Sequence, residues 1–362
     1  MKIARIEAII VRMPLRKAFN INLASVTYKD HVVVRVFTDD GFVGIGEAAP
    51  LPQFSGEAGD AMVSIIKENL APAVVGLDPF DIEKIVSAMD GAIAGHNLAK
   101  SAIDFAVYDL MGKSIGKPVA KLLGGCVRET VPLCWAVGIG KPDDVIAEAL
   151  DKVKEGYRCL KLKIGLNPKE DIERVRLVRE AVGDEIKLRV DANQGYRPDT
   201  AIPTLRKMER YELQYAEQPV PKWDLDGMAR VAASVGVPIM ADESVFNLND
   251  AVEIVRRRAA SVINIKVGKL GGLYKSKKVA AIAEAADIAC MVGSMLEAGI
   301  GTVAAAHFAA STQNVGYECE LIGSLMYDRD IIADELDIEG GVFRIPQSAG
   351  LGVGVAHEPL GS

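Results

Sequence analysis

Cysteine and histidine are scarce in this chain. Its 362 residues carry five cysteines, Cys126, Cys134, Cys159, Cys290 and Cys319, and four histidines, His31, His96, His307 and His357. The cysteines are odd in number, scattered and never in a C-x-x-C pair. That sets aside a zinc ribbon or a disulfide framework and predicts reduced thiols in a cytoplasmic protein. Histidines so far apart give no His-rich metal spacing, which leaves only a hard, oxygen-liganded metal open. No apolar run approaches the ~18 residues of a membrane span. The opening MKIARIEAIIVRMPLRK is interrupted by Arg5 and Glu7 and reads as a first strand, not a secretory signal. Basic excess is also missing. Lys and Arg number 42 against 49 Asp and Glu, a net charge of −7, which argues against nucleic acid as the main partner. No G-x-G-x-x-G opens a helix after the first strand, and no phosphate loop appears, which disfavours a Rossmann sheet.

What is present is an ordinary globular composition, 49% hydrophobic and 25% charged, long enough for a barrel plus a smaller domain. In HVVVRVFTDDGFVGIGEAAP, two apolar runs flank Asp39-Asp40-Gly41, a hairpin signal. KSAIDFAVYDLMGKSIG has helical apolar spacing and a glycine stop. Strands followed by helices predict an α+β domain over residues 1–125. From about residue 131, short apolar runs alternate with amphipathic helices: VPLCWAVG, CLKLKIG, IKLRVDAN, QYAEQPV, VPIMADES, SVINIKVG, IACMVGS and GYECELIG. This repetition predicts a (β/α)₈ barrel over residues 126–325, with residues 326–362 returning to the N-terminal domain.

In RCLKLKIGLNP, residues 158–168, Lys161 and Lys163 alternate with leucines and share one face of a strand. Taken alone, the segment reads as a solvent edge, because two lysines inside a buried strand are expensive. The barrel reverses that reading, since strand C-terminal ends face the active site in this fold. Asp191 and Asn193, Glu217, Asp242 and Glu243 then end three consecutive strands. Lys266 ends the next, and Glu297, Glu318 and Glu320 follow. Adjacent carboxylates in a partly dry cleft repel, and a divalent cation such as Mg²⁺ relieves the repulsion. Such an ion favours an enediolate formed from a substrate carboxylate. A neutral lysine is then the expected base for the proton alpha to that carboxylate, with Lys161 as the neighbouring charge and Lys266 on the opposite side.

The ordered set KLKIG, VDAN, EQP, ADES and IKVGKLGG, with AKSAIDFAVYDLMGK before KLLGG, resembles the enolase superfamily in its muconate-lactonizing-enzyme subgroup over essentially the whole chain. The resemblance implies Mg²⁺ or Mn²⁺ held by Asp191, Glu217 and Asp242. It makes Lys163 and Lys266 the acid/base pair, with Lys161 supporting Lys163. It implies a small-molecule carboxylate substrate, no nucleic-acid or membrane partner, and a homo-oligomer. GSMLEAGIGT followed by ELIGSL looks like the muconate cycloisomerase version of strands seven and eight. Glu318-Cys319-Glu320 stands where dipeptide epimerases usually show Asp-x-Asp. Cycloisomerisation is therefore the first expectation. Epimerisation of a dipeptide or N-substituted amino acid is second, and a non-catalytic binding barrel is third. By the same resemblance the N-terminal domain caps the barrel and sets specificity through loops 15–25 and 49–57. Phe19, Ile21 and Phe54 are then candidate substrate contacts, together with Asn193, Glu297 and Glu320.

Overall fold

The computed structural model describes residues 1–20 and 25–356. Three antiparallel strands open the chain: β1 (Ile3–Asn20), β2 (Ser25–Thr38) and β3 (Val43–Ala48), paired in the order β1-β2-β3. The β2–β3 connection is the hairpin expected at Asp39-Asp40-Gly41. Gly41 takes a left-handed φ of 91°, and Thr38 N–H donates to Phe42 O at 3.0 Å. Residues 15–20, expected in a loop, instead continue β1, with Phe19 paired to Val26. Residues 49–57 contain a single helical turn, α1 (Pro52–Ser55).

Helices α2 (Gly59–Ile65), α3 (Ala71–Val74) and α4 (Ile82–Ala92) lead to α5 (Asn97–Ile115), which stops at the left-handed Gly116. Residues 98–112 of α5 are buried on every face. One side of α5 meets the three-stranded sheet through Gly44 and Gly46. A Cβ at either position would land on the backbone carbonyl oxygen of Ala106 or Ala102. After α6 (Val119–Leu122) and the short β4 (Thr130–Pro132), the barrel begins.

Its strands are β5 (Trp135–Val137), β6 (Cys159–Lys163), β7 (Lys187–Asp191), β8 (Leu213–Glu217), β9 (Ile239–Ala241), β10 (Val262–Ile265) and β11 (Ala289–Val292). They form one parallel sheet in that order. The helices between and after them are α7 (Pro142–Lys154), α8 (Pro168–Val182), α9 (Pro198–Met208), α10 (Leu225–Ala232), α11 (Leu248–Arg257), α12 (Leu273–Ala285) and α13 (Gly299–Ala310). Residues expected as an eighth strand, GYECELIG, do not form a regular one. The ring closes through single bridges, Cys290 with Val315 just before this segment and Leu133 with Cys319 within it. The Glu318 carbonyl accepts from the Arg189 guanidinium at 2.8 Å instead of joining a strand ladder. Arg189 lies between Tyr215 and Tyr317 at the base of the barrel.

The tail runs back through β12 (Ile338–Glu339) and β13 (Val342–Arg344), the latter pairing with β4. Leu15 bridges Tyr327, and Leu351 N–H donates to Asp109 of α5 at 2.8 Å. Among the described residues no helix is long and apolar enough to cross a membrane.

Gly46→Ala should force α5 off the sheet. The expected penalty is about 1–3 kcal/mol, the usual range for overpacking. It is read as a lowered denaturation midpoint, and an unchanged midpoint would contradict the close approach.

Candidate active site

The alternation of β6 turns Cys159, Lys161 and Lys163 to the barrel interior and Leu160 and Leu162 to the helices. Both lysines are buried, at 2% and 7% exposure, so the solvent-edge reading fails. Register carries the adjoining charges to the same height. Lys163 pairs with Asp191, and Asp191 pairs with Glu217, across successive parallel strands. Asp242 follows β9, and Lys266 follows β10.

Each acid is held by nitrogen. Lys163 Nζ donates to Asp191 Oδ2 at 2.5 Å and to Asn193 Oδ1 at 3.0 Å. Lys161 Nζ donates to Glu217 Oε2 at 2.9 Å and also to Glu320, and lies 3.4 Å from Asp191. Asn264 Nδ2 holds the other Glu217 oxygen at 2.7 Å. Asp242 is clasped by Lys266 at 2.7 Å and Lys269 at 2.8 Å. Asn193 also donates to Glu243 at 3.1 Å.

The electrostatics follow from burial and these pairs. Burial alone would pull the Lys161 ammonium down, but Glu217, Glu320 and Asp191 together hold it well above the usual range. The same contest raises Lys266, through Asp242, Glu217 and Glu243. Its ammonium is thus stabilised, where a neutral lysine base needs the opposite shift. Burial raises the Glu217 carboxyl to about 8, and Asp191, Glu320 and Asp242 add to the rise against the pull of Lys161. Burial raises Glu243 to about 7, with Asp242 and Asp191 adding. Asp242 is instead driven down by Lys266 and Lys269, against its burial.

Among the described residues, no three His, Cys, Asp or Glu side chains converge to hold a metal ion. The carboxylate oxygens are turned onto lysines. The donor set nevertheless fits a hard divalent cation. Asp191, Glu217 and Asp242 offer only oxygen and end successive strands, and the Asp191 and Asp242 charges add to the burial that raises Glu217.

Above this cluster sits a cavity of about 60 Å³. Lys161, Lys163, Lys266, Asn193 and Glu320 line it from the barrel, the last two being candidate substrate contacts of the sequence analysis. Phe19 and Phe54 also line it, and the Lys266 ammonium lies 4.4 Å from the Phe54 ring centre. Glu297 does not line it. Its carboxylate folds back on its own loop, accepting from the Ser294 hydroxyl and from Met295 N–H at 2.8 Å. Ile21 lies outside the described residues.

Sequence reasoning missed Lys29, Asn264 and Lys269. Asn264 was within reach, because it precedes Lys266 by two and so shares its strand face. Lys269 appears in IKVGKLGG but lies past the end of its strand, where period-2 reasoning stops. Lys29 comes from β2 of the N-terminal sheet and has no local signal for the barrel.

The sequence matches two family descriptions, the mandelate racemase / muconate lactonizing enzyme N-terminal domain over residues 5–124 and the enolase C-terminal domain-like family over residues 144–359. It is 39% identical to the L-Ala-D/L-Glu epimerase of Bacillus subtilis, over 98% of this chain and 97% of that protein. A substrate-liganded structure of that epimerase superposes with a TM-score of 0.95, covering 98% of this chain and 100% of the other. A dipeptide epimerase from Enterococcus faecalis V583, complexed with Mg and the dipeptide L-Leu-L-Tyr, is 37% identical with a TM-score of 0.94, covering 98% and 99%. The muconate lactonizing enzyme of Pseudomonas fluorescens, complexed with muconolactone, is 34% identical with a TM-score of 0.96, covering 99% and 98%. Agreement of both domains with these descriptions, at this identity and coverage, means that the chain belongs to the enolase superfamily, in the muconate-lactonizing-enzyme subgroup, as an isomerase of the enolate-forming type.

Proposed function

We propose that this isomerase acts on a small dicarboxylic acid by a muconate-type cycloisomerisation, with Lys163, Lys266 and Lys161 as the working lysines. The observation that carries the reading is the state of Glu318-Cys319-Glu320. Glu318 is drawn to the base of the barrel by Lys187 and Arg189. Of the two acids Glu320 alone lines the cavity, and one of its oxygens accepts from Lys161. A paired acidic grip for a substrate ammonium is therefore lacking among the described residues, and an anionic substrate meets three ammonium groups on the barrel side.

In this reading Asp191, Glu217 and Asp242 would hold Mg²⁺, with Mn²⁺ as the substitute. The ion would supply charge stabilisation to a substrate carboxylate as negative charge develops on it. Lys163 exchanges a proton at the carbon alpha to that carboxylate, held toward the cavity by Asn193 and Asp191. Lys161 keeps Glu217 and Glu320 in place. Phe54 and Phe19 cover the cavity and limit water. The expected division at residues 125/126 and 325/326 belongs to the same proposal, supported by the bridge between Leu15 and Tyr327.

Epimerisation of a dipeptide or N-substituted amino acid is the second reading, favoured by two observations. Lys163 ends β6 and Lys266 follows β10, four positions apart in the strand order, so they flank the cavity from opposite sides. The second oxygen of Glu320, Oε1, has no partner among the described residues and can accept from a substrate N–H.

Glu217→Gln should weaken Mg²⁺ binding by at least the roughly 10–100-fold that loss of an outer-shell partner costs, and should abolish turnover. Calorimetry with Mg²⁺ that gave an unchanged affinity would remove Glu217 from the ligand set.

The lysines separate the two reactions. Either single alanine variant should lose about 10²–10⁴-fold in turnover if its lysine transfers the proton. In an epimerase, Lys266→Ala should leave Lys163-dependent deuterium exchange with one enantiomer only. A cycloisomerase should show slower lactone formation and no stereospecific partial exchange. Mass spectrometry in D₂O on muconates, dipeptides and N-acyl amino acids reads both outcomes. Full activity in both variants on a confirmed substrate would end the lysine-pair mechanism.

The proposal includes a homo-oligomer. Light scattering at micromolar concentration should return a multiple of the chain mass, and the mass of a single chain would remove this part.

A further inference from the structure

Six lysines are more than nine-tenths buried among the described residues: Lys29, Lys100, Lys161, Lys163, Lys266 and Lys269. Five have a carboxylate within ion-pair distance. Lys29 has none among the described residues. Its ammonium donates only to backbone carbonyls, Met295 O and, at a long 3.3 Å, Ala49 O. The two acids closest to it in electrostatic effect, Glu297 and Glu47, are otherwise engaged. Glu297 accepts from Ser294 and Met295 N–H, and Glu47 accepts from His31 and from the N–H groups of Ala298 and Gly301.

A buried ammonium without a counter-ion is strongly unfavourable, and hydrogen bonds to carbonyls only partly offset the lost water. Lys29 is also part of the cavity wall, with Val26, Leu51 and Phe54 beside it. Two carbonyls leave one of its three protons without a partner among the described residues. Burial pulls the group to about 8, still mostly charged at neutral pH. Its apolar neighbours strengthen its attraction for an anion. Lys163 and Lys266 act from the barrel, whereas Lys29 reaches in from β2 of the N-terminal sheet. The two sets of cations can thus grip two ends of one molecule.

We propose that Lys29 binds a second carboxylate of the substrate, remote from the reacting one, and so selects dianionic over monoanionic acids. The proposal rests on the reading of this cavity as the site of a carboxylic acid substrate. It names the residue that recognises the far end.

The test uses the whole protein with Mg²⁺ and two unreactive probes, adipate and its monomethyl ester. Calorimetry should show that wild type prefers the dianion. Lys29→Met should reduce that preference by roughly 10- to 100-fold, the value of one charged hydrogen bond. Lys29→Gln keeps donors for the two carbonyls but lacks the charge. It should lose the preference while melting as wild type does, which covers the case of a Met variant that fails to fold. A preference that survives in Lys29→Gln overturns the proposal. So does an equal fall in affinity for both probes, which would mean that Lys29 only ties Met295 to Ala49. Deuterium exchange into candidate acids by wild type is read separately. If no acid exchanges but the adipate preference still falls in the variants, the anion site stands and the isomerisation reading fails.

Discussion

The site depends on a buried lattice of ammonium and carboxylate groups at the barrel mouth. Charges this deep are costly unless paired and hydrogen-bonded. Most of them here are paired, in two groups. Asp191 joins Lys163 to Lys161, Lys161 joins Glu217 to Glu320, and Asp242 joins Lys266 to Lys269. Removing one member leaves its partner charged in a dry chamber. The strands determine which groups meet, because parallel register sets Lys163, Asp191 and Glu217 side by side. The barrel is thus the means by which mutually repelling acids are kept at one height.

The N-terminal sheet completes the chamber by grasping the loop after β11. Glu47 accepts from Ala298 and Gly301 N–H at 2.7 Å, capping α13 with a negative charge at its positive end. Tyr327 donates to Leu296 O at 2.7 Å, and Lys29 donates to Met295 O. Leu296 takes a φ of 61°, a left-handed conformation unfavourable for leucine, and persists in it between these ties. Met295 and Leu296 both line the cavity. The cavity wall on that side is therefore set from outside the barrel, by Lys29 of the N-terminal sheet and Tyr327 of the tail.

Much of this was legible because periodicity and chemistry agreed. Alternation in CLKLK, LRVDAN and QYAEQ identified interior-facing residues, and strand-end position placed Lys161, Lys163, Asp191 and Glu217 together. The reading faltered where backbone geometry departs from a regular element. GYECELIG looks like a strand, yet the Arg189 guanidinium takes the Glu318 carbonyl and regular pairing is lost. Glu297 sits in a loop, and nothing in SMLEAG foretells that its carboxylate turns onto its own Ser294 and Met295. Residues 15–20 read as part of a loop, and long-range pairing with β2 overrode that reading. Lys29 was invisible for a different reason: its significance lies in contacts across 266 positions of sequence to Met295.

Charge balance bears on which acid the chamber suits. The buried lysines Lys161, Lys163, Lys266 and Lys269 face the carboxyls of Asp191, Glu217, Asp242, Glu243 and Glu320, while Lys29 stands nearest in effect to Glu297 and Glu47. Burial and mutual repulsion push Glu217 and Glu243 toward their neutral forms, which lessens the negative charge around the lysines. The cavity wall itself carries Lys29, Lys161, Lys163 and Lys266 against Glu320, so an anionic guest meets an excess of ammonium groups there. A dicarboxylate brings a carboxylate at each end to that excess. A zwitterionic dipeptide brings one ammonium into the same field and must find its counter-charge in Glu320, one oxygen of which already accepts from Lys161.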